Sequence, residues 1–296
     1  MGWLQVTFAT DRKRAPLIET ALDVADALAV TLADAGNEPQ WEPLPSATPL
    51  WSQVLITGLF PGDEEARARA EQLAKSLAGH IVGEPRFEYV EDRPWERAWL
   101  DDFEPKRFGR RLWVCPRGQA PGVGDAVVVE LDPGLAFGTG HHPTTALCLR
   151  WLDGAELRGK TVVDYGCGSG ILAIAALRLG AVRAVAVDHD PQALDAAAAN
   201  AAENGVSDRL HVCAPEVGTR PPADVLVANI LATPLIELAP RFSAYVRPGG
   251  DIVLSGILTA QTKAVSTAYA PWFDLETPRT EADWVLLYGH RKPSCP

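Results

Sequence analysis

Apolar and polar residues alternate from the start of the chain, Leu4, Val6 and Phe8 against Gln5 and Thr7, which is the period of a half-buried strand over 3–9. The period then shifts to that of a helix, with Leu17, Ile18, Ala21, Leu22 and Ala25 on one face. A short strand near 28–32 follows, then a stretch holding Pro39, Pro43, Pro45 and Pro49 that cannot be helix interior. A strand over 51–59, a charged helix opened by Asp63 and running through Leu77, and a strand near 86–90 complete the series. The order β-α-β-β-α-β is that of the split ferredoxin-like motif, so a small ferredoxin-like α+β domain is expected over 1–90. Residues 92–100 read as a short helix with Pro94 in its first turn and Trp95 and Trp99 one turn apart, which suits a linker over 91–105.

From 106 to 296 the pattern becomes α/β. Strands at 111–115 and 126–131 come first. Strand and helix patterns then alternate over 161–165, 169–179, 184–188, 191–204, 210–213, 224–230, 234–246 and 251–255. Such alternation predicts a mostly parallel sheet with helices on both faces. A last pair, near 273–277 and 284–289, is expected as an antiparallel edge hairpin.

Composition narrows the function classes. With 296 residues, 47% hydrophobic and 22% charged, the chain reads as a soluble enzyme of one or two domains. A formal net charge of −11 argues against direct nucleic-acid readout, because phosphates would be repelled, and accommodates a basic partner. The five cysteines are odd in number and form no Cys-x-x-Cys pair, which fits a reducing compartment rather than a disulfide framework or a zinc site. No basic-then-apolar segment precedes the first strand, and apolar stretches such as 171–187 are broken by Arg178 and Arg183. Neither a signal peptide nor a membrane span is expected, the expected location is the cytoplasm, and the chain is expected to be a monomer.

The chemistry concentrates in Val162-Val163-Asp164-Tyr165-Gly166-Cys167-Gly168-Ser169-Gly170, an apolar strand that runs into an acid and then into glycines at alternate positions. A helical run follows, then a second strand that ends at Asp188. Glycines let the backbone turn tightly and approach a ligand, and an acid at the next strand end can accept hydrogen bonds from both hydroxyls of a ribose. A dinucleotide fingerprint would place a third glycine where Ile171 stands. Asp164 would repel a pyrophosphate but suits a cation. S-adenosylmethionine carries an ammonium and a sulfonium and no phosphate, so it is the expected cofactor, with Asp164, Gly166, Gly168 and Asp188 as its candidate contacts.

Two further stretches bear on the same site. The Gly-rich segment 131–145 is too long for a simple turn and leads into a helix whose first turn holds Pro143, Thr144 and Thr145. The N–H groups at that helix start suit the cofactor's carboxylate, Thr139 is a candidate cofactor contact, and Phe137 is placed to cover the reaction centre and exclude water. His141 and His142 are read as hydrogen-bonded loop residues, since no third ligand lies at metal-binding spacing. Asn229 ends the strand 224–230, and in open α/β sheets ligands bind at such strand ends. Its other reading is a helix N-cap.

The chain closely resembles the ribosomal protein L11 methyltransferase family over essentially its whole length. The resemblance is carried by residues 95–103, 131–145, 164–173, 188–192 and 229–240, and the 132–145 loop is specific to that family; His141 is a departure from it. It implies a ferredoxin-like domain that recognises a basic ribosomal protein, a linker helix, and a seven-stranded Rossmann-like class I methyltransferase domain. It also implies repeated methylation of lysine side chains and of an N-terminal α-amine, with cofactor-binding positions at Thr145, Gly166, Asp188 and Asn229. Transfer is an in-line displacement by a neutral amine, for which no general base is assigned. Asn229 is expected to position the amine or the cofactor's ammonium. Alternatives are an N-methyltransferase acting on another protein or a small molecule, a non-catalytic cofactor-sensing module, and a hydride-transfer dehydrogenase, against which Ile171 argues.

Overall fold

Alternating burial runs through strand β1 (Gly2–Asp11), where Leu4, Val6, Phe8 and Thr10 are fully buried and the residues between them half-buried. Helix α1 (Ala15–Val24) lays Ala15, Ile18 and Leu22 on that buried face. Strands β2 (Ala29–Asp34) and β3 (Gln53–Pro61), helix α2 (Glu64–Ser76) and strand β4 (Arg86–Glu91) follow. Asp63 caps α2 by accepting the Ala66 N–H at 2.8 Å, and Glu64, Glu65 and Lys75 match the charge of the helix ends. The strands form an antiparallel sheet in the order β2-β3-β1-β4, with α1 and α2 packed on one face.

The structure, a computed structural model, describes residues 2–36, 38, 50–91, 104–122, 124–131, 140, 142–215 and 222–293. The expected linker helix at 92–100 and the Pro-rich stretch lie outside the described residues, apart from the latter's flanks. The chain divides into two compact units, Met1–Pro94 and Trp95–Pro296, each with its own hydrophobic core.

The second unit begins with a three-stranded sheet of β5 (Lys106–Phe108), β6 (Leu112–Pro116) and β7 (Val127–Leu131). Helix α3 (Pro143–Gly154) ties this sheet down. The buried Asp153 near its end accepts the backbone N–H groups of Arg110, Arg111 and Leu112. Strands and helices then alternate through β8 (Thr161–Tyr165), α4 (Ile171–Arg178), β9 (Arg183–Val187), α5 (Pro191–Glu203), β10 (Leu210–Cys213), β11 (Ala223–Asn229), α6 (Ala232–Tyr245) and β12 (Val246–Leu258). Helix α7 (Thr262–Tyr269) and strands β13 (Phe273–Leu275), β14 (Arg279–Glu281) and β15 (Trp284–Arg291) complete the unit.

The main sheet runs β10-β9-β8-β11-β12-β15-β13, seven strands in hydrogen-bonded order, with the short β14 paired to β15. Neighbours from β10 to β12 are parallel, and β15 is antiparallel to β12. Successive strand residues enter opposite cores: Val225 and Val227 pack with α3, α4 and α5, while Leu226 and Ala228 pack with α6 and α7. Both faces are therefore covered by helices.

The expected antiparallel pair does lie at the edge of the sheet, with β13 outermost and paired to β15, whose apolar Val285, Leu286 and Leu287 are buried on both faces next to β12. One expectation needs correction: the connection from β13 to β15 is not a simple hairpin, since β14 lies between them in sequence and pairs Thr280 with Val285. Helix α7 was not expected; its Val265 and Tyr269 are buried against α6 and the sheet. No helix among the described residues is long and apolar enough to cross a membrane.

Candidate active site

Chain order reverses between β8 and β11. From β8 the chain steps outward to β9 and β10, then returns to the other side of β8 as β11. Parallel strands that diverge in this way leave a crevice at their carboxyl ends. The register puts the candidate residues on that rim: Tyr165 lies opposite Val187 on one side and Ala228 on the other, so Gly166, Asp188 and Asn229 follow at one level.

The glycine bend is held in a conformation that side chains resist. Gly166 has φ +77°, and a Cβ there would lie 2.2 Å from Ile230 Cγ2. Gly170 has φ +76° and starts α4, and a Cβ there would lie 2.9 Å from Ala197 Cβ. The Gly166 and Cys167 N–H groups both donate to Val187 O, at 2.8 and 3.0 Å. Asn200 donates from Nδ2 to Ser169 O at 2.9 Å, so the buried face of α5 supports the bend from below.

The two acids differ in environment. Asp188 Oδ2 accepts the Gly168 N–H at 2.9 Å and Oδ1 accepts the Asp190 N–H at 3.1 Å, which fixes the carboxylate at the rim with lone pairs to spare. Asp190 caps α5 through the Gln192 N–H, and Pro191 occupies its first turn. Asp164 is wholly buried. Its Oδ2 accepts the Ala173 N–H at 3.0 Å, and its Oδ1 has no donor among the described residues. Burial, opposed by that hydrogen bond and reinforced by the Asp188 charge, pushes the Asp164 carboxyl up to about 7.

Across the crevice Asn229 donates from Nδ2 to Thr145 Oγ1 at 3.1 Å. Thr145 stands in the first turn of α3 and is buried. The N-cap alternative for Asn229 does not hold, because α6 starts at Ala232 with Leu231 in the cap position. His142 is the N-cap of α3: its Nδ1 accepts the Thr144 N–H, lies 2.7 Å from Thr144 Oγ1, and its ring stacks edge-on to Trp284. Burial lowers its pKa below the usual histidine range. Among the described residues no cluster of His, Cys, Asp or Glu is arranged to hold a metal.

Of the residues singled out in the sequence, the structure joins Asp164, Gly166, Gly168 and Asp188 in one bend and pairs Thr145 with Asn229. Phe137, Thr139 and His141 lie outside the described residues. Sequence reasoning missed Ile230, which packs against Gly166, and Asn200. The signal for Asn200 was present: it is a lone polar residue in an alanine run, on the buried side with Ala193, Ala197 and Ala201.

The donor set fits S-adenosylmethionine. Gly166 and Gly170 keep side chains out of the turns of the bend beside a carboxylate that can take a ribose, and the buried Asp164 oxygen, without a donor among the described residues, suits a cation.

Comparisons with known proteins bear on the family. The family model described as ribosomal protein L11 methyltransferase (PrmA) matches residues 2–292. The ribosomal protein L11 methyltransferase of Marinobacter nauticus is 50% identical, with 99% of each chain covered, and that of Nitrosococcus oceani is 48% identical over 99% of this chain and 100% of its own. The crystal structure of a ribosomal protein L11 methylase from Lactobacillus delbrueckii subsp. bulgaricus superposes with TM-score 0.58 and 33% identity, covering 64% of this chain and 100% of that one. Glycine bend, rim acids and whole-length similarity together place the chain in the ribosomal protein L11 methyltransferase family.

Proposed function

We propose that this chain transfers methyl groups from S-adenosylmethionine to amines of ribosomal protein L11, on lysine side chains and at the N-terminal α-amine. The observation that carries the reading is the acid-flanked glycine bend at the sheet's switch point, facing the Thr145–Asn229 pair, in a chain about half identical to enzymes of that name.

When bound, the donor supplies an electrophilic methyl on a sulfonium. The chain's residues bind and align. Asp188 accepts from the ribose hydroxyls, Gly166 and Gly168 let the backbone approach, and Asp164 faces the positive charge. Asn229, oriented by Thr145, positions the incoming amine or the donor's ammonium through its side-chain oxygen. The nucleophile has to be neutral, and lysine starts from a pKa of about 10.4. A cation beside it and removal from water both lower that value, so alignment within about 3–3.5 Å does most of the work and no general base is required.

The first unit is the substrate-recognition domain in this reading. Its sequence supports the role: residues 1–91 hold fourteen Asp and Glu against seven Lys and Arg, which favours a basic partner. The test is direct. Full-length protein incubated with methyl-labelled donor and purified L11 should add methyl groups to lysines and the N-terminus, read by peptide mass spectrometry. Label that reaches other ribosomal proteins or small molecules but not L11 would reject the assignment.

A further inference from the structure

Asp164 and Asp188 are neighbours on one rim, yet only Asp164 is cut off from solvent, at 0% against 8% exposure. The groups that face Asp164 can be named element by element. From the end of β9 comes the Asp188 carboxylate, from the bend the Cys167 thiol, and from α3 the Cys148 thiol. Helix α4 contributes the Ala173 N–H, and β11 places Val227 alongside. Both thiols are held neutral by burial. Among the described residues no cation is in this set, and Oδ1 has no donor. An ionised carboxylate in that setting is strongly disfavoured, while a protonated one has a reason to be there.

We propose that Asp164 is the charge-selecting residue of the cofactor site: a carboxylic acid in the ligand-free protein that ionises when a fixed cation of the methyl donor docks beside it. The O–H bond of the carboxyl breaks, the proton leaves to the buffer, and the carboxylate pairs with the ligand's positive charge; no other bond changes. The exchange is readable near neutrality because burial and the Asp188 charge hold the carboxyl up at about 7. A phosphate-bearing nucleotide without such a cation gains no pairing with Asp164, so the selection for positive ligands lies in the ionised pair and not in repulsion. The inference rests on the methyl-donor reading above. Two cations qualify: the ammonium, shared by the donor and its demethylated product, and the sulfonium, carried by the donor alone.

Titration calorimetry of the full chain with S-adenosylmethionine and with S-adenosylhomocysteine, in buffers of different ionisation enthalpy, counts the protons exchanged. At about pH 6 the ligands' own amines, with reference values of about 7.7–8.0, are almost fully charged and do not contribute. Donor binding should release close to ~1 proton there, and Kd should tighten roughly five- to tenfold between about pH 6 and about pH 7.5. Both effects should disappear in Asp164→Asn. Equal release by the product assigns the ammonium as the cation, and release by the donor alone assigns the sulfonium. Infrared difference spectra of the wild-type protein give a readout without the variant, through loss of a buried protonated-carboxyl band on binding. Donor binding without proton release, or release that persists undiminished in Asp164→Asn, would overturn the proposal and leave the methyl-donor reading standing. Failure of the donor to bind at all would overturn both.

Discussion

Asp188, at the end of β9, accepts from Gly168 and Asp190 in the protein itself and keeps lone pairs to spare, which the proposed function gives to a ribose. In that reading Asp188→Ala removes both a ligand acceptor and a support of the glycine bend. Affinity for S-adenosylmethionine should fall by about 1–3 kcal/mol, the scale of a charged hydrogen bond, measured by calorimetry at fixed pH. Unchanged affinity would mean that the ribose is bound elsewhere. The acid was readable in the sequence because it ends a strand one βα unit after the glycines. Its bond to Gly168 was not, because nothing in spacing says which way a strand-end carboxylate turns.

At the scale of elements, the least expected joint is the one between α3 and the β5–β6 pair. Asp153 collects three successive backbone N–H groups, and Gly109, at φ +76°, leaves the space that the carboxylate fills: a Cβ there would lie 2.2 Å from Asp153 Oδ2. Asp153→Ala would leave those donors without that acceptor, the Leu112 N–H in a buried place and the other two partly buried. Stability should fall by roughly 2–4 kcal/mol, read as a lower midpoint of denaturant unfolding with little change in slope. Donor affinity of the folded variant should stay within about twofold, since Asp153 lies two turns along α3 from Thr145. A midpoint equal to wild type would show that other contacts hold the joint. In sequence, Asp153 is an ordinary acid near a helix end, and its partners lie more than forty residues earlier. The same limit applies to β15. Periodicity marked it as a strand, but its place between β12 and β13 depends on pairings that no local pattern contains.

At the scale of the molecule, the two units carry separate cores, and the catalytic candidates described here all belong to the second. The excess of acids in residues 1–91 belongs to the first. A chain reduced to residues 106–296 should keep its affinity for S-adenosylmethionine within about threefold while its KM for L11 rises by about tenfold or more, because remote contacts that hold the substrate protein are lost. Steady-state assays against the full chain, alongside donor calorimetry, test this. Methylation of L11 at the full-length rate by the shortened chain would remove the recruiting role from the first unit.

The linear chain determined most of what depends on neighbours. Alternation and helical periods placed the strands and helices, and the run from Asp164 through the glycines to Asp188 identified the cofactor chemistry, because each step of that argument spans about one βα unit. Tertiary structure decided what depends on distance in sequence. It set Asn229 against Thr145 across 84 residues, supported the bend with Asn200, slotted β15 between two other strands, and buried Asp164 completely beside a second acid. The division has a physical cause. Backbone conformation follows the local pattern of side chains, whereas desolvation and hydrogen-bond partnership are set by which surfaces meet once the sheet has formed.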